Sequence, residues 1–457
     1  MDLSYFEGIV STHALIETAL MFVVVAMVFL LYITVRYGGN TQKLRRGNAG
    51  MSKKSFIALS SDTSNALTEV DPDIYIAKTP ILNNSHTIVG YGISNAGTVI
   101  DDTSLTHVVN LYSSGLIEDR VLYVPITEDL LHNKDLSLLP HGSVFILPLF
   151  FKPETKDKRI DQCEALIQQG YRFAVQQTST EKPAKFSEFS IIEFTKAFDS
   201  IRQCVTTARD HSSSIMMTCI NDTAAFEFGQ SLGVNLYQGF YFSKLDYIET
   251  ATIDSKTSHT MTLMNMVLEH CEPEEIEEAF KVDPDLTYKL LKYINSAAIG
   301  LRTEVRSIKA AILALGYEKL ARWLGIFMMS SESIQNETKD AIFELSALRG
   351  RNMELLGKHY RQSTQTQDAL FMAGMFSLFD QVLKMPIEEA LGRLNLPEAV
   401  TQLLFNDDGP YKEIYDIALA AEQGDTLNLD EGATSLTLST LSAINAESNA
   451  WVKSLMG

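Results

Sequence analysis

The chain has 457 residues, 46% hydrophobic and 21% charged, values that exclude a disordered or collagen-like polymer and allow two or three domains with cores of their own. Its 38 basic against 57 acidic side chains give a formal net charge of −19, which disfavours broad binding to a phosphate backbone and leaves nucleic acid out of the expected partners.

The charge is uneven. Residues 1–54 contain six basic side chains (Arg36, Lys43, Arg45, Arg46, Lys53, Lys54) and three acidic ones (Asp2, Glu7, Glu17), so the acidity belongs to the rest of the chain. All three acids precede the apolar run Thr18–Val35, and all six bases follow it. As a helix that run rises about 27 Å, close to the thickness of a bilayer core. A cleaved signal peptide would need a basic start and a shorter apolar stretch. The pattern therefore predicts a transmembrane helix over residues 18–37, with residues 1–17 outside. The positive-inside rule places the remainder in the cytoplasm. Residues 38–72, with Gly, Asn, Ser and basic side chains, form a juxtamembrane linker. Its bases either rest on anionic lipid or serve as a solvated tether.

From residue 73 to 246, short runs rich in β-branched and aromatic residues alternate with helical stretches. The strand candidates are Ile74–Ile76, Thr87–Tyr91, Val121–Val124, Val144–Leu149, Phe173–Val175, Ile191–Phe194 and Ile215–Cys219. The helix candidate Lys158–Gln169 places Ile160, Cys163, Leu166 and Ile167 at helical spacing before Gly170. Alternation of this kind predicts an α/β domain on a largely parallel sheet. Its length is below that of an ordinary closed eight-stranded barrel. Glu249–Lys256 is polar and marks a boundary. From residue 258 to 450 the strand signal vanishes and helical spacing recurs, which predicts an all-α domain. Cys163, Cys204, Cys219 and Cys271 are too far apart for a metal knuckle or a redox pair and read as reduced thiols.

The segment Leu232–Gly233–Val234–Asn235–Leu236–Tyr237–Gln238–Gly239–Phe240–Tyr241–Phe242–Ser243–Lys244 resembles the closing motif of EAL domains, the bacterial cyclic di-GMP phosphodiesterase family. Ile76–Ala77–Lys78–Thr79–Pro80–Ile81, followed by Val89–Gly90–Tyr91, is similar to that family's opening. The helical part resembles HDOD domains through Asp283–Pro284–Asp285–Leu286, Leu290–Ala297, Ser307–Gly316, Ala373–Asp380 and Glu422–Asp425. The resemblance implies a truncated or degenerate barrel of the TIM type followed by an HDOD helical domain.

An EAL enzyme holds two hard cations with several carboxylates and an amide. Carried over by the resemblance, its metal-binding Glu falls on Gly92 and its Asn on Pro125. The next Glu falls on Pro148, and the paired aspartates on Gln176 and Gln177. The catalytic Lys falls on Glu193, and the later glutamates on Cys219 and Asp222. Only Asp222 keeps a carboxylate. Thr79 and Leu245 also depart from the family pattern. The related HD hydrolases need a His–Asp dipeptide, yet none of the nine histidines precedes Asp, and His259, His270 and His359 are scattered. No P-loop, G-x-G-x-x-G or nucleophile elbow is present.

The expectation is a membrane-anchored, catalytically inactive signalling scaffold, not an enzyme, with no catalytic, metal or cofactor-binding residue and no cofactor. Its partners would be signalling proteins met through the HDOD domain and the membrane met through residues 18–37. Small-molecule binding is not expected. The alternative is a receptor that binds cyclic di-GMP or another nucleotide without cleaving it. On the resembling segments, Tyr293, Asn295, Ser296 and Trp323 are the residues of interest. Asn295 and Ser296 read as helix-end caps, Trp323 as core, and Met328–Met329 and Met372/Met375 as core filler.

Overall fold

The computed structural model describes residues 74–96, 99–113, 120–149, 151–178, 182, 186–212, 214–244, 252–295, 305–330, 338–425 and 436–456. The N-terminal segment 1–17, the predicted membrane helix 18–37, the linker 38–72, and Leu245, Ser296 and Ala297 lie outside them. Among the described residues no helix is long and apolar enough to cross a membrane.

Eight strands form a closed barrel in sequence order: β1 (Ile76–Asn83), β2 (Ile88–Asn95), β3 (Val121–Pro125), β4 (Val144–Pro148), β5 (Arg172–Gln176), β6 (Phe189–Glu193), β7 (Ser214–Thr218) and β8 (Leu236–Gln238). Strand β1 runs antiparallel to both β2 and β8, while neighbours from β2 to β8 are parallel. The domain is shorter than an ordinary eight-stranded barrel, which left closure open, and all eight strands nevertheless close. Closure is reached in few residues because several connections omit a full crossover helix. The antiparallel β1–β2 pair needs only a tight turn. There the Asn83 side chain accepts from the Ser85 and Thr87 amides, each at 3.0 Å. Two short 3-10 turns, Glu128–His132 and Lys134–Leu138, join β3 to β4. Longer helices follow other strands: α1 (Asp102–Ser113), α2 (Lys156–Gln168), α3 (Phe198–Arg209) and α4 (Thr223–Ser231).

Inward side chains fill the lower barrel, with Ile81, Tyr123, Val144, Ala174, Phe189, Ile191 and Met216 in one cluster. The outward apolar face contacts the surrounding helices. Between β8 and a following 3-10 turn the chain makes its tightest approach at Gly239, where φ is +147° and a Cβ would stand 2.1 Å from the Ile220 carbonyl oxygen.

The helical part runs from α5 (Ser255–Leu268) through α6 (Pro273–Phe280), α7 (Pro284–Ile294), α8 (Ile308–Leu315), α9 (Tyr317–Ser330), α10 (Lys339–His359), α11 (Thr364–Phe376), α12 (Phe379–Leu383), α13 (Ile387–Leu391), α14 (Glu398–Asn406) and α15 (Lys412–Gln423) to α16 (Leu438–Met456). The starts follow from capping chemistry. Asp254, Asp283 and Ser307 accept amide hydrogens at the starts of α5, α7 and α8, satisfying donors that a helix leaves open. Helix α10 is the hub. It crosses α11 where Gly350 meets Gly374, so closely that a Cβ on Gly374 would stand 2.7 Å from the Gly350 Cα.

Barrel and helices share one continuous apolar core, in which Tyr75, Leu82, Tyr237 and Phe242 join Leu345, Leu348, Phe371 and Ile417. Polar bonds cross the same boundary. The Tyr75 hydroxyl donates to the Ala421 carbonyl at 2.8 Å, and the Asn445 amide donates to the Ile76 carbonyl at 3.1 Å.

Candidate functional site

In a barrel, alternate residues of each strand face inward. Counting two residues from the inward cluster toward the carboxyl ends of the parallel strands gives the mouth: Thr79, Gly92, Pro125, Pro148, Gln176, Glu193, Thr218 and Gln238. These positions include several that the resemblance assigns to metal ligands. The ring holds two prolines, a glycine, two threonines, two glutamines and one carboxylate, Glu193.

The Gly92 position has a specific occupant. A Cβ there would stand 2.1 Å from Gln238 Nε2 and 2.8 Å from its Cδ, so the Gln238 carboxamide lies across the space a side chain on Gly92 would fill. Gln176 ends β5 and is exposed at the mouth, whereas the next residue, Gln177, is buried, and its backbone amide donates to the Ile191 carbonyl at 2.7 Å. Only one of the two glutamines is therefore presented as a mouth side chain. Cys219 follows β7 with φ of +62°, its Sγ 3.9 Å from Glu193 Oε1. Asp222 is the N-cap of α4, its Oδ1 accepting from the Ala225 amide at 2.8 Å. The one carboxylate kept by the resemblance is thus engaged in capping the start of a helix.

On the helical side, His259 lies within α5, His270 beyond its end, and His359 at the end of α10. His270 packs on Tyr317, with ring centroids 4.6 Å apart, and His359 lies edge-on to Tyr360. Among the described residues, no group of three or more His, Cys, Asp or Glu is placed to hold a metal ion. Asn295 bonds the Leu291 carbonyl at 2.8 Å and both the amide and carbonyl of Val305 at 2.7 Å, fastening the end of α7. Trp323 is 8% exposed and stacks on Phe327; Met328, Met329, Met372 and Met375 are buried. Cys163 and Cys204 are buried, Cys219 is exposed. Burial pushes the Cys163 thiol up to about 12, Arg159 opposing it, so this thiol stays protonated.

Sequence reasoning missed two charged centres between barrel and helices. Glu344, buried on α10, accepts from the Tyr91 hydroxyl at 2.8 Å and from Lys78 Nζ at 3.1 Å. Lys78 Nζ also lies 4.1 Å from the centroid of the Tyr91 ring. Five residues along, Arg349 makes a paired contact with Glu422 at 3.0 and 2.8 Å and donates to Ser377 Oγ at 2.7 Å. Burial works against the Arg349 charge, but Glu422 outweighs it and holds the guanidinium above its ordinary pKa. The available signal was charge among immediate apolar neighbours, Glu344 between Phe343 and Leu345 and Arg349 after Ala347 and Leu348, which needs a buried partner.

The HDOD domain family model matches residues 257–383. A curated relative, the uncharacterized protein YuxH of Bacillus subtilis, is 23% identical over 409 residues, covering 84% of this chain and 99% of its own. The cyclic di-GMP phosphodiesterase CdgJ of Vibrio cholerae is 26% identical over 210 residues, 45% of this chain and 47% of that protein. Among solved structures, the Bacillus subtilis YkuI protein with an EAL domain is 14% identical, with a TM-score of 0.30 over 54% of this chain and 75% of that one. Residues 257–383 thus match an HDOD domain, carried in one chain with an eight-stranded barrel.

Proposed function

We propose that this chain is a non-hydrolysing signalling scaffold of the cyclic di-GMP-related kind, anchored in the membrane through residues 18–37 and acting through protein recognition by its helical part. The likeness to the phosphodiesterase CdgJ supports the signalling context. The observation that carries the loss of catalysis is the composition of the mouth. Gly92 is overlain by Gln238, prolines stand at 125 and 148, and Asp222 caps α4. Two hard divalent cations need six or more oxygen ligands each, several of them anionic. With Glu193 as the one carboxylate of the ring, little offsets the dehydration of Mg²⁺ or Mn²⁺. Cyclic di-GMP, with one negative charge on each of its two phosphodiesters, also meets Glu193 where the family pattern has a Lys.

The test is purified full chain with cyclic di-GMP and Mg²⁺ or Mn²⁺, followed by chromatography of the nucleotide. No turnover is expected. Hydrolysis that disappears in Asp222→Ala overturns the scaffold reading. Calorimetric binding at micromolar affinity or tighter without turnover replaces it with the receptor reading. Membrane fractionation of the chain lacking residues 1–37 tests the anchor, with loss from the membrane fraction expected.

A further inference from the structure

A cleft of about 330 Å³ opens in the helical part, away from the barrel mouth. It lies where the end of α5 meets the first turns of α9 and α11, and Pro397 and Tyr411 complete its rim. Its volume falls at the lower end of the range for small-ligand sites, enough for one compact group. Val267, Ala321, Ala369 and Met372 give it an apolar lining, beside Tyr411 and beside Tyr317, on which His270 packs.

Two carboxylates, Asp368 and Glu318, reach this cleft from different helices. No hydrogen bond or ion pair joins either one to another described residue. The neighbouring cation Arg322 is committed elsewhere, 2.7 Å from Glu354 Oε2 and 3.7 Å from the centroid of the Phe371 ring. Burial pushes the Asp368 carboxyl above its ordinary value; Arg322 and Lys319 oppose this, and Glu354 and Glu318 add to it. The lining therefore has a surplus of negative charge beside aromatic faces. A simple helix-dipole role accounts for Glu318 in the first turn of α9. It does not account for Asp368, which is half-buried in the second turn of α11 against a hollow.

We propose that this cleft is a binding site for a guanidinium group, such as an arginine side chain. The chemistry is complementary on each count. A planar guanidinium forms paired hydrogen bonds with a carboxylate and stacks on aromatic faces, and it is more weakly hydrated than an ammonium, so it enters an apolar lining at lower cost. Anions are excluded by Asp368 and Glu318. The site is separate from the barrel mouth, so it stands whether or not that mouth binds a nucleotide.

The experiment is ligand-observed NMR and calorimetry on the purified full chain with three probes: methylguanidinium, acetyl-Gly-Arg-Gly-amide and its neutral citrulline counterpart. Saturable binding of a guanidinium probe is expected, with the citrulline peptide at least tenfold weaker. Preference for the arginine peptide assigns the site to a protein partner, and preference for methylguanidinium assigns it to a free small cation; both support the proposal. Asp368→Asn and, separately, Glu318→Gln should each weaken binding about tenfold, the scale of one lost charge-assisted contact. The exposed carboxylate change Glu413→Gln should leave it unchanged. The proposal is overturned by absence of saturable binding, by equal affinity for the citrulline peptide, or by equal weakening in Glu413→Gln.

Discussion

Glu422→Gln should be among the most damaging single conservative changes in the chain. Arg349 and Glu422 are each 4% exposed at their side chains and share two hydrogen bonds of 3.0 and 2.8 Å. Glu422→Gln leaves the buried guanidinium with one neutral carboxamide oxygen, an amide NH₂ facing it, Ser377 Oγ and the more distant Asp380. Breaking a buried pair from one side costs about 3–5 kcal/mol, because the remaining ion keeps its desolvation penalty. At about 2 °C per kcal/mol for a body of this size, the melting midpoint should fall by roughly 6–10 °C. Removing both charges together is different. Arg349→Met with Glu422→Leu roughly keeps the volume, removes both members of the pair, and should sit within about 2 kcal/mol of the parent. Scanning calorimetry and urea titration of the two variants provide the comparison. A Glu422→Gln midpoint within 2 °C of the parent, or a double variant worse than the single one, refutes the reasoning (about 2 °C being the effect of 1 kcal/mol).

Further outcomes follow from the same geometry. Gly239→Ala should destabilise by about 2–4 kcal/mol in urea titration, since its Cβ meets the rigid Ile220 carbonyl at a φ of +147°. Gly92→Ala meets only the flexible end of Gln238 and should cost below about 1 kcal/mol. Asp222→Ala should cost about 1 kcal/mol as a lost N-cap. Glu354 is held below the ordinary carboxylate value: burial opposes this, but Arg322 and Arg351 outweigh it. Its stabilising contribution is present above the unfolded value near about 4.3 and lost as pH falls through the lower folded value. Glu354→Gln should therefore flatten the acid limb of a melting series below about pH 5. Asp368 has the opposite sign: its folded pKa is raised, so its ionised form weighs against the fold above the unfolded value. Asp368→Asn should raise the midpoint at neutral pH while weakening the guanidinium cleft.

The local pattern carried much of the fold. The expected strand Val121–Val124 sits inside β3, Val144–Leu149 and Ile215–Cys219 overrun β4 and β7 by one residue each, and Ser307 and Gly316 bracket α8 as caps. Strand β1 begins at Ile76, at the end of the expected Ile74–Ile76, because its pairing with β2 and β8 sets its extent. Strand β8 has only three residues, Leu236–Gln238, too few to show a period. Closure depends on Ile81 meeting Gln238, which are far apart in sequence. Of the mouth, Gly92, Pro125, Pro148, Gln176 and Glu193 were reached through the family resemblance and not through spacing, and Thr218 and Gln238 were not singled out. The overlap of Gln238 with Gly92, the cleft around Asp368 and the bonds of Glu344 all join distant segments, and neither spacing nor composition reports such encounters.

The continuous core between barrel and helices changes what the barrel is as an object. Its β1–β2 face is closed by Glu344, and its first residues are held by Ala421 and Asn445. Cut away from the helices, it would present Tyr75, Leu82 and Phe242 to water, so it would behave as half of a molecule rather than as a module. Tolerance to substitution should accordingly be graded around the cylinder. The rim can lose its polar groups at little structural cost, while the wall beneath α10 cannot, because that wall is the bed on which the helical part rests.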